Sequence, residues 1–381
     1  MTLTAPLVPI AVLASGGNVF NLTVVGAMGS ALALVLLRIG RRRRTIRRMA
    51  PIFATLAAIG TGIAANLRVE LLLIAVVGTL ATIPSVASGL TGQALGRSSR
   101  PARVRLFYTL GWVSGSLAGG ALATVVAPKH ALTIAALAQS ACFTYIALRQ
   151  QRGEQAATPL VVAGPKATAR WPRPVVHLFV SLALISCGGA FRVGPLAAMA
   201  LQSTRMTAQT YSLLIATTPI VEIVLLGLLV AAGRSMTLLL VVGAPAAAIS
   251  FSLIPAAEEP LLFLSQGLFA VYVVSATVAT LDFLHENWPS TTTEDRTSWT
   301  FSLEAVSNFT GGAFASASVA LVGIPNAFYL PASLSILGAL GAVIVVLRMA
   351  RHPIASESVS GANSPDAVGP SDRFGRVRGS G

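Results

Sequence analysis

Gly111-Trp112-Val113-Ser114-Gly115-Ser116-Leu117-Ala118-Gly119-Gly120 lies inside an uncharged apolar run from Leu106 to Ala127. As a helix rising 1.5 Å per residue, that run is long enough to cross a bilayer core of about 30 Å. Gly111, Gly115 and Gly119 fall four apart and therefore share one helix face. Small residues at this spacing let two helix backbones approach closely in lipid. The stretch predicts a membrane-spanning helix with a close-packing face.

Composition extends that reading to the whole chain. Of 381 residues, 54% are hydrophobic and only 10% charged. Soluble domains carry about 25% charged residues, so the chain reads as an all-α integral membrane protein. A net charge of +14 spread over a soluble surface would suggest a nucleic-acid partner. Here the basic residues sit between apolar segments, where they set topology, and no nucleic-acid partner is expected. Cys142 and Cys187 lie within apolar segments and read as packing residues. No metal-ligating cluster or phosphate-binding glycine loop occurs, so no metal or cofactor is expected. A lipid-modifying enzyme would need clustered Asp or His, and none is present.

Leu3 to Ala14 is apolar but too short to span, and Ser15-Gly16-Gly17-Asn18 reads as a turn. Full spans follow at Phe20–Leu37, Pro51–Asn66, Val69–Leu95, Leu106–Ala127 and Ala131–Leu148. Arg149–Pro174 is polar and separates two halves. Six further spans run from Val175 to Leu347, the first of them Val175–Leu201. The expected domains are 1–148, a linker 149–174, a second half 175–350 and a disordered tail 351–381. Of 27 Lys and Arg residues, 23 fall on the side of the Arg41 loop, leaving Arg68, Lys129, Arg205 and the intramembrane Arg192. Arg105 belongs, on this count, to a basic loop with Arg97, Arg100 and Arg103. The bias predicts that both ends are cytoplasmic.

Two motifs carry a family resemblance. Arg38, Gly40, Arg41 and Arg42 match the end of the major facilitator signature that follows the second helix. Ala33 and Leu37 replace its first Gly and its Asp, so the gate contact of that Asp is absent or rebuilt. Gly111, Gly115, Gly119 and Gly120 resemble the antiporter motif of fifth helices in exporters, with Ser116 where that motif has Pro. Pro219-Ile220-Val221-Glu222-Ile223 resembles the eighth-helix carboxylate segment of bacterial sugar exporters. More widely, Leu178–Arg234 and Gln266–Gly323 are similar to sugar-efflux and drug-efflux members. The resemblance implies the major facilitator fold, two six-helix halves in a bacterial plasma membrane, working as a monomer. It implies proton-driven export of a small sugar or drug-like molecule by alternating access.

An internal repeat supports the two halves. An aromatic, Leu, Val and Ser recur between Tyr108–Gly115 and Phe301–Asn308 at an offset of 193, and Gly119-Gly120 returns as Gly311-Gly312. The fifth helix is therefore the counterpart of the eleventh. The same offset sets the opening segment opposite the last third of Val175–Leu201, so the first helix is expected to lack its beginning.

Ionisable residues within spans are costly, about 2.5–3.5 kcal/mol each on insertion scales, which makes each a functional candidate. Glu222 sits near mid-span beside Pro219 and is the candidate for proton coupling. Its alternative is a static ion pair with Arg192 on the preceding helix. Arg192, in the Gly-rich Cys187–Pro195 stretch, is also a candidate for binding an anionic or hydroxylated substrate. Asp282 and Glu304 read as gate salt bridges, in an acidic patch with Glu286, Glu294 and Asp295, or as substrate contacts. Asn308, Gln266 and Gln139 can face a cavity or join helices. Trp112 can line the cavity beside Tyr108. Facilitative or importing carriage on the same fold, and a non-transporting remnant, stay open.

Overall fold

Apolar runs of this length bury their backbone polar groups by winding into helices, and the computed structural model is helical throughout. It describes residues 4–42, 44–97, 101–155, 172–232, 239–287 and 293–351. The first half holds α1 (Leu7–Ala14), α2 (Val19–Arg42), α3 (Arg44–Ala64), α4 (Val69–Arg97), α5 (Pro101–Val125) and α6 (Pro128–Gln155). The second half holds α7 (Arg173–Ser203), α8 (Ala208–Ala232), α9 (Leu239–Ala256), α10 (Glu259–Leu284), α11 (Thr293–Val322) and α12 (Tyr329–Arg351). Nine of the described helices are long and apolar enough to cross a membrane.

Three boundaries differ from expectation. The expected linker begins as helix, because α6 continues to Gln155, and α7 starts at Arg173; residues 156–171 lie outside the described residues. The tail beyond Arg351 likewise lies outside them. Helix α5 starts at Pro101, where a missing N–H costs nothing at a helix start, so Arg103 and Arg105 belong to the helix and not to a loop.

Span α7 is not one smooth helix. It runs as Arg173–Ser186, Gly188–Val193 and Pro195–Ala198, then a wide π turn Met199–Ser203. Pro195 cannot donate to the turn before it, and the breaks are covered by protein. A side chain at Gly188 would strike the Phe251 ring, so that ring rests on bare backbone. Between α1 and α2, Gly16 takes φ +85°, the left-handed turn conformation that glycine accepts freely.

Each half has its own apolar core. In the first, Leu7, Ala11 and Val12 of α1 pack with Leu22, Leu72 and Leu132. In the second, Leu178, Leu182, Leu240, Tyr272 and Phe283 form one cluster and Phe191, Leu214, Phe251 and Phe328 another. Ile10 of α1 crosses into that last cluster.

Across the halves, α5 lies along α8 and α2 lies along α11. Glycines set both distances. A methyl on Gly120 would collide with Ser212 Cβ, and one on Gly312 would fall 2.7 Å from Ala27 Cβ. Gly115 and Gly119 are buried, whereas Gly111 is exposed with open space beside it. The close-packing face thus runs through Gly115, Gly119 and Gly120 and excludes Gly111. The halves also touch toward both ends. At the Arg-rich end Leu37 and Ala33 pack on Ala305 and Phe301, and at the other end Ser316 donates to Thr23 at 2.8 Å.

Candidate functional site

Helices α5, α8 and α11 bring five candidate side chains toward one place between the halves. Glu222, 2% exposed, extends from α8 three residues after Pro219. Pro219 leaves the carbonyl of Ile215 without its helical donor, which loosens α8 just ahead of the carboxylate. Arg105 rises from the second turn of α5, and its Nε donates to Glu222 Oε1. Its guanidinium also lies 4.9 Å from the centre of the Tyr108 ring, one turn along the same helix. Trp112, one further turn on, meets Tyr108 edge-on with ring centres 6.1 Å apart. Glu304 of α11 is near enough to act electrostatically on both Arg105 and Glu222. The cluster therefore pairs one guanidinium of the first half with a buried carboxylate of the second, with the exposed Glu304 within electrostatic range.

The expected pair of Glu222 with Arg192 is not formed. Glu222 takes its cation from the opposite half, and Arg192 turns away into its own. The broken course of α7 aims Arg192 at α9 and α10, where Nη2 donates to Ser250 Oγ and lies 3.4 Å from the carbonyl and hydroxyl oxygens of Ser265. Its guanidinium sits 3.7 Å from the Phe269 ring centre and 4.9 Å from that of Phe251. Cation–π attraction of this kind grows when the cation is desolvated.

The remaining candidates separate in space. Gln266, on α10, accepts from Thr218 of α8 through both its side-chain and main-chain oxygens, at 2.7 and 3.1 Å. Asn308 of α11 faces Gly189, where a methyl would lie 3.1 Å from its Oδ1. Gln139 accepts from Thr4 at 2.9 Å and joins the chain just before α1 to α6, inside the first half. Glu304 is exposed on α11, within electrostatic range of Arg105 and Glu222; the side chains of Glu286, Glu294 and Asp295 lie outside the described residues. Asp282 is half-buried near the end of α10. In the signature stretch Arg38 is exposed and Gly40 buried, while the side chains of Arg41 and Arg42 lie outside the described residues.

Arg105 is the candidate that sequence reasoning missed. The available signal was its spacing of three from Tyr108, which puts a cation and an aromatic on one helix face, combined with a helix-starting Pro at 101.

No family model matches the chain, and no curated protein matches it. Solved structures do. One is the crystal structure of the nucleoside transporter NupG, with a TM-score of 0.63 at 15% identity, covering 90% of this chain and 97% of that one. A point mutant of NupG gives a TM-score of 0.64 at 12% identity, over 90% and 96% of the two chains. A third is FucP, a major facilitator superfamily transporter in the outward conformation, with a TM-score of 0.51 at 13% identity over 91% and 90%. At these identities the likeness is one of fold. The chain has the major facilitator fold, twelve bundle helices in two halves, with α1 the short one.

Proposed function

We propose that this chain is a secondary transporter that exports a small molecule by alternating access of its two halves, coupled to protons through Glu222. The observation that carries the proposal is the Arg105–Glu222 ion pair, which joins the halves inside the membrane. A buried ion pair is held by mutual neutralisation, and protonating its acid removes the hold. Glu222 would bind Arg105 while ionised and release it on protonation, so that α5 and α8 part. Glu304 would keep the guanidinium compensated during that step. A charge between the halves is then never left alone in an apolar site.

The small molecule would bind near the midplane between the halves, as the fold arranges. Arg192, Asn308, Gln266 and Trp112 are its candidate contacts, with Gln139 a supporting tie in the first half. Sugars and drug-like molecules are the substrate classes that the sequence resemblance favours, and a fold likeness to a nucleoside transporter widens the set to nucleosides. The working setting would be a bacterial plasma membrane with both ends cytoplasmic and the protein monomeric.

The Gly-rich face of α5 supports the outward direction. A specific observation favours a second reading, an importing or facilitative carrier: with Ser116 in place of Pro, α5 runs unbroken from Pro101 to Val125. Direction is tested by substrate movement in membrane vesicles of known sidedness. Coupling is tested by Glu222→Gln, which is expected to abolish gradient-driven movement while leaving exchange of substrate down its own gradient intact. Gradient-driven movement that survives Glu222→Gln would overturn the coupling role.

A further inference from the structure

We infer that Arg192 anchors an anion subsite in the second half, and that the transported molecule presents to it an anionic oxygen group, a carboxylate or a phosphate. This deepens the transporter reading and rests on it for the ligand's role, though not for the site itself.

Arg192 is 8% exposed and makes no ion pair among the described residues. Its neutral partners all cluster on one nitrogen, Nη2, which faces Ser250 and Ser265. Phe269 and Phe251, whose ring centres are 5.6 Å apart, pack against the guanidinium from neighbouring directions at 3.7 and 4.9 Å. Nε and Nη1 are both buried and have no hydrogen-bond partner. Orphaned donors of this kind are costly in an apolar interior, more so on a charged group. With Nη2 occupied, the unmet N–H bonds are those of Nε and Nη1, which lie in the plane of the guanidinium. An acceptor there must be placed in that plane, and an anion both completes the hydrogen bonds and neutralises the charge.

The surroundings are arranged to hold the cation and not to neutralise it. Gly188 has no side chain, which lets Phe251 press on the α7 backbone one turn before Arg192. Ser250 is itself fixed by donating to the Ser265 carbonyl at 2.8 Å. Gln266, which follows Ser265, also has a buried donor, Nε2, without a partner. Every unsatisfied group on these two side chains is a donor, so the complementary ligand is rich in acceptors. A buried arginine is ordinarily held by an acid, and Arg192 has none among the described residues.

The test uses the full chain purified in detergent, followed by its thermal unfolding midpoint without any proton gradient. Acetate and inorganic phosphate are each titrated against chloride at constant ionic strength. Ligand that binds only the folded state raises the midpoint in a concentration-dependent way. The wild type should rise with at least one of the two anions; the responding arm identifies carboxylate or phosphate. Arg192→Met, whose thioether can pack against the two phenyl rings, should lose the response and unfold higher than wild type when no anion is added. Arg192→Lys, which keeps the charge but not the planar fork, should respond more weakly than wild type. No rise in the wild type with either anion overturns the proposal, as does an equal rise in Arg192→Met. Should Arg192→Met fail to fold, or unfold lower than wild type, Arg192 is structural and the proposal falls; an undiminished response in Arg192→Lys overturns it as well. A positive anion response with no gradient-driven transport would retain the subsite and remove the transporter reading.

Discussion

Arg105 shows how much depends on one helix start. It follows Arg97, Arg100 and Arg103 and resembles them in every local respect. Because α5 begins at Pro101, Arg105 sits inside the helix, and its long side chain reaches a carboxylate in the other half. Removing one member of a buried ion pair strands the other, at a cost of about 3–5 kcal/mol. Arg105→Ala should therefore lower stability by about that amount. Glu222→Gln should lower it less, since the amide oxygen can still accept from Arg105, whose side chain is 18% exposed, and Arg105→Ala with Glu222→Gln should be more stable than Arg105→Ala alone. Unfolding midpoints of the three purified variants check the order; a loss in the double variant equal to the sum of the two single losses would mean that the pair is not coupled. Glu222 was legible as a candidate, since an acid beside a proline in mid-span has few bland explanations, and it is buried and ion-paired. Its partner was not. Arg192 and Glu222 are on consecutive helices, but the breaks at Gly188 and Pro195 rotate Arg192 toward Ser250, and rotation about a broken helix leaves no periodic mark.

The helices themselves were largely readable, because hydropathy and the basic loops mark each one. Pairing between halves was readable only in part. The Gly119-Gly120 and Gly311-Gly312 repeat identified α5 and α11 as counterparts, and each presses the second glycine of its pair on a helix of the opposite half. Spacing alone also enlisted Gly111, which has open space where a side chain would go. The two glycines should therefore part company on substitution. Gly120→Ala overpacks against Ser212 and should cost about 1–3 kcal/mol, while Gly111→Ala should be neutral or slightly stabilising. Thermal unfolding of the two variants side by side checks this. A loss at Gly111 equal to that at Gly120 would return the close-packing role to the four-residue spacing.

At the scale of the whole molecule the two halves meet toward both ends, through Leu37 with Phe301 at one and Thr23 with Ser316 at the other. Alternating access requires these contacts to break in turn. A disulfide between Thr23→Cys and Ser316→Cys, with Cys142 and Cys187 replaced by Ala, should block transport when oxidised and restore it when reduced. Transport undiminished by the oxidised bond would show that this end need not open. Two halves could be read from the polar stretch after Leu148 and from the internal repeat, but not the end of α6, which runs on to Gln155. The state in which the halves meet could not, because hydropathy is the same whichever end is closed.

The central claim is that a proton gradient drives substrate movement through Glu222. The most direct measurement is uptake of labelled sugars, nucleosides and fluorescent drugs into inverted vesicles, with and without an acid interior, for the wild type and Glu222→Gln in parallel. The account predicts accumulation in wild-type vesicles that depends on the acid interior and disappears in Glu222→Gln. Uptake that is equal with and without the gradient, and equal in the two proteins, would contradict it.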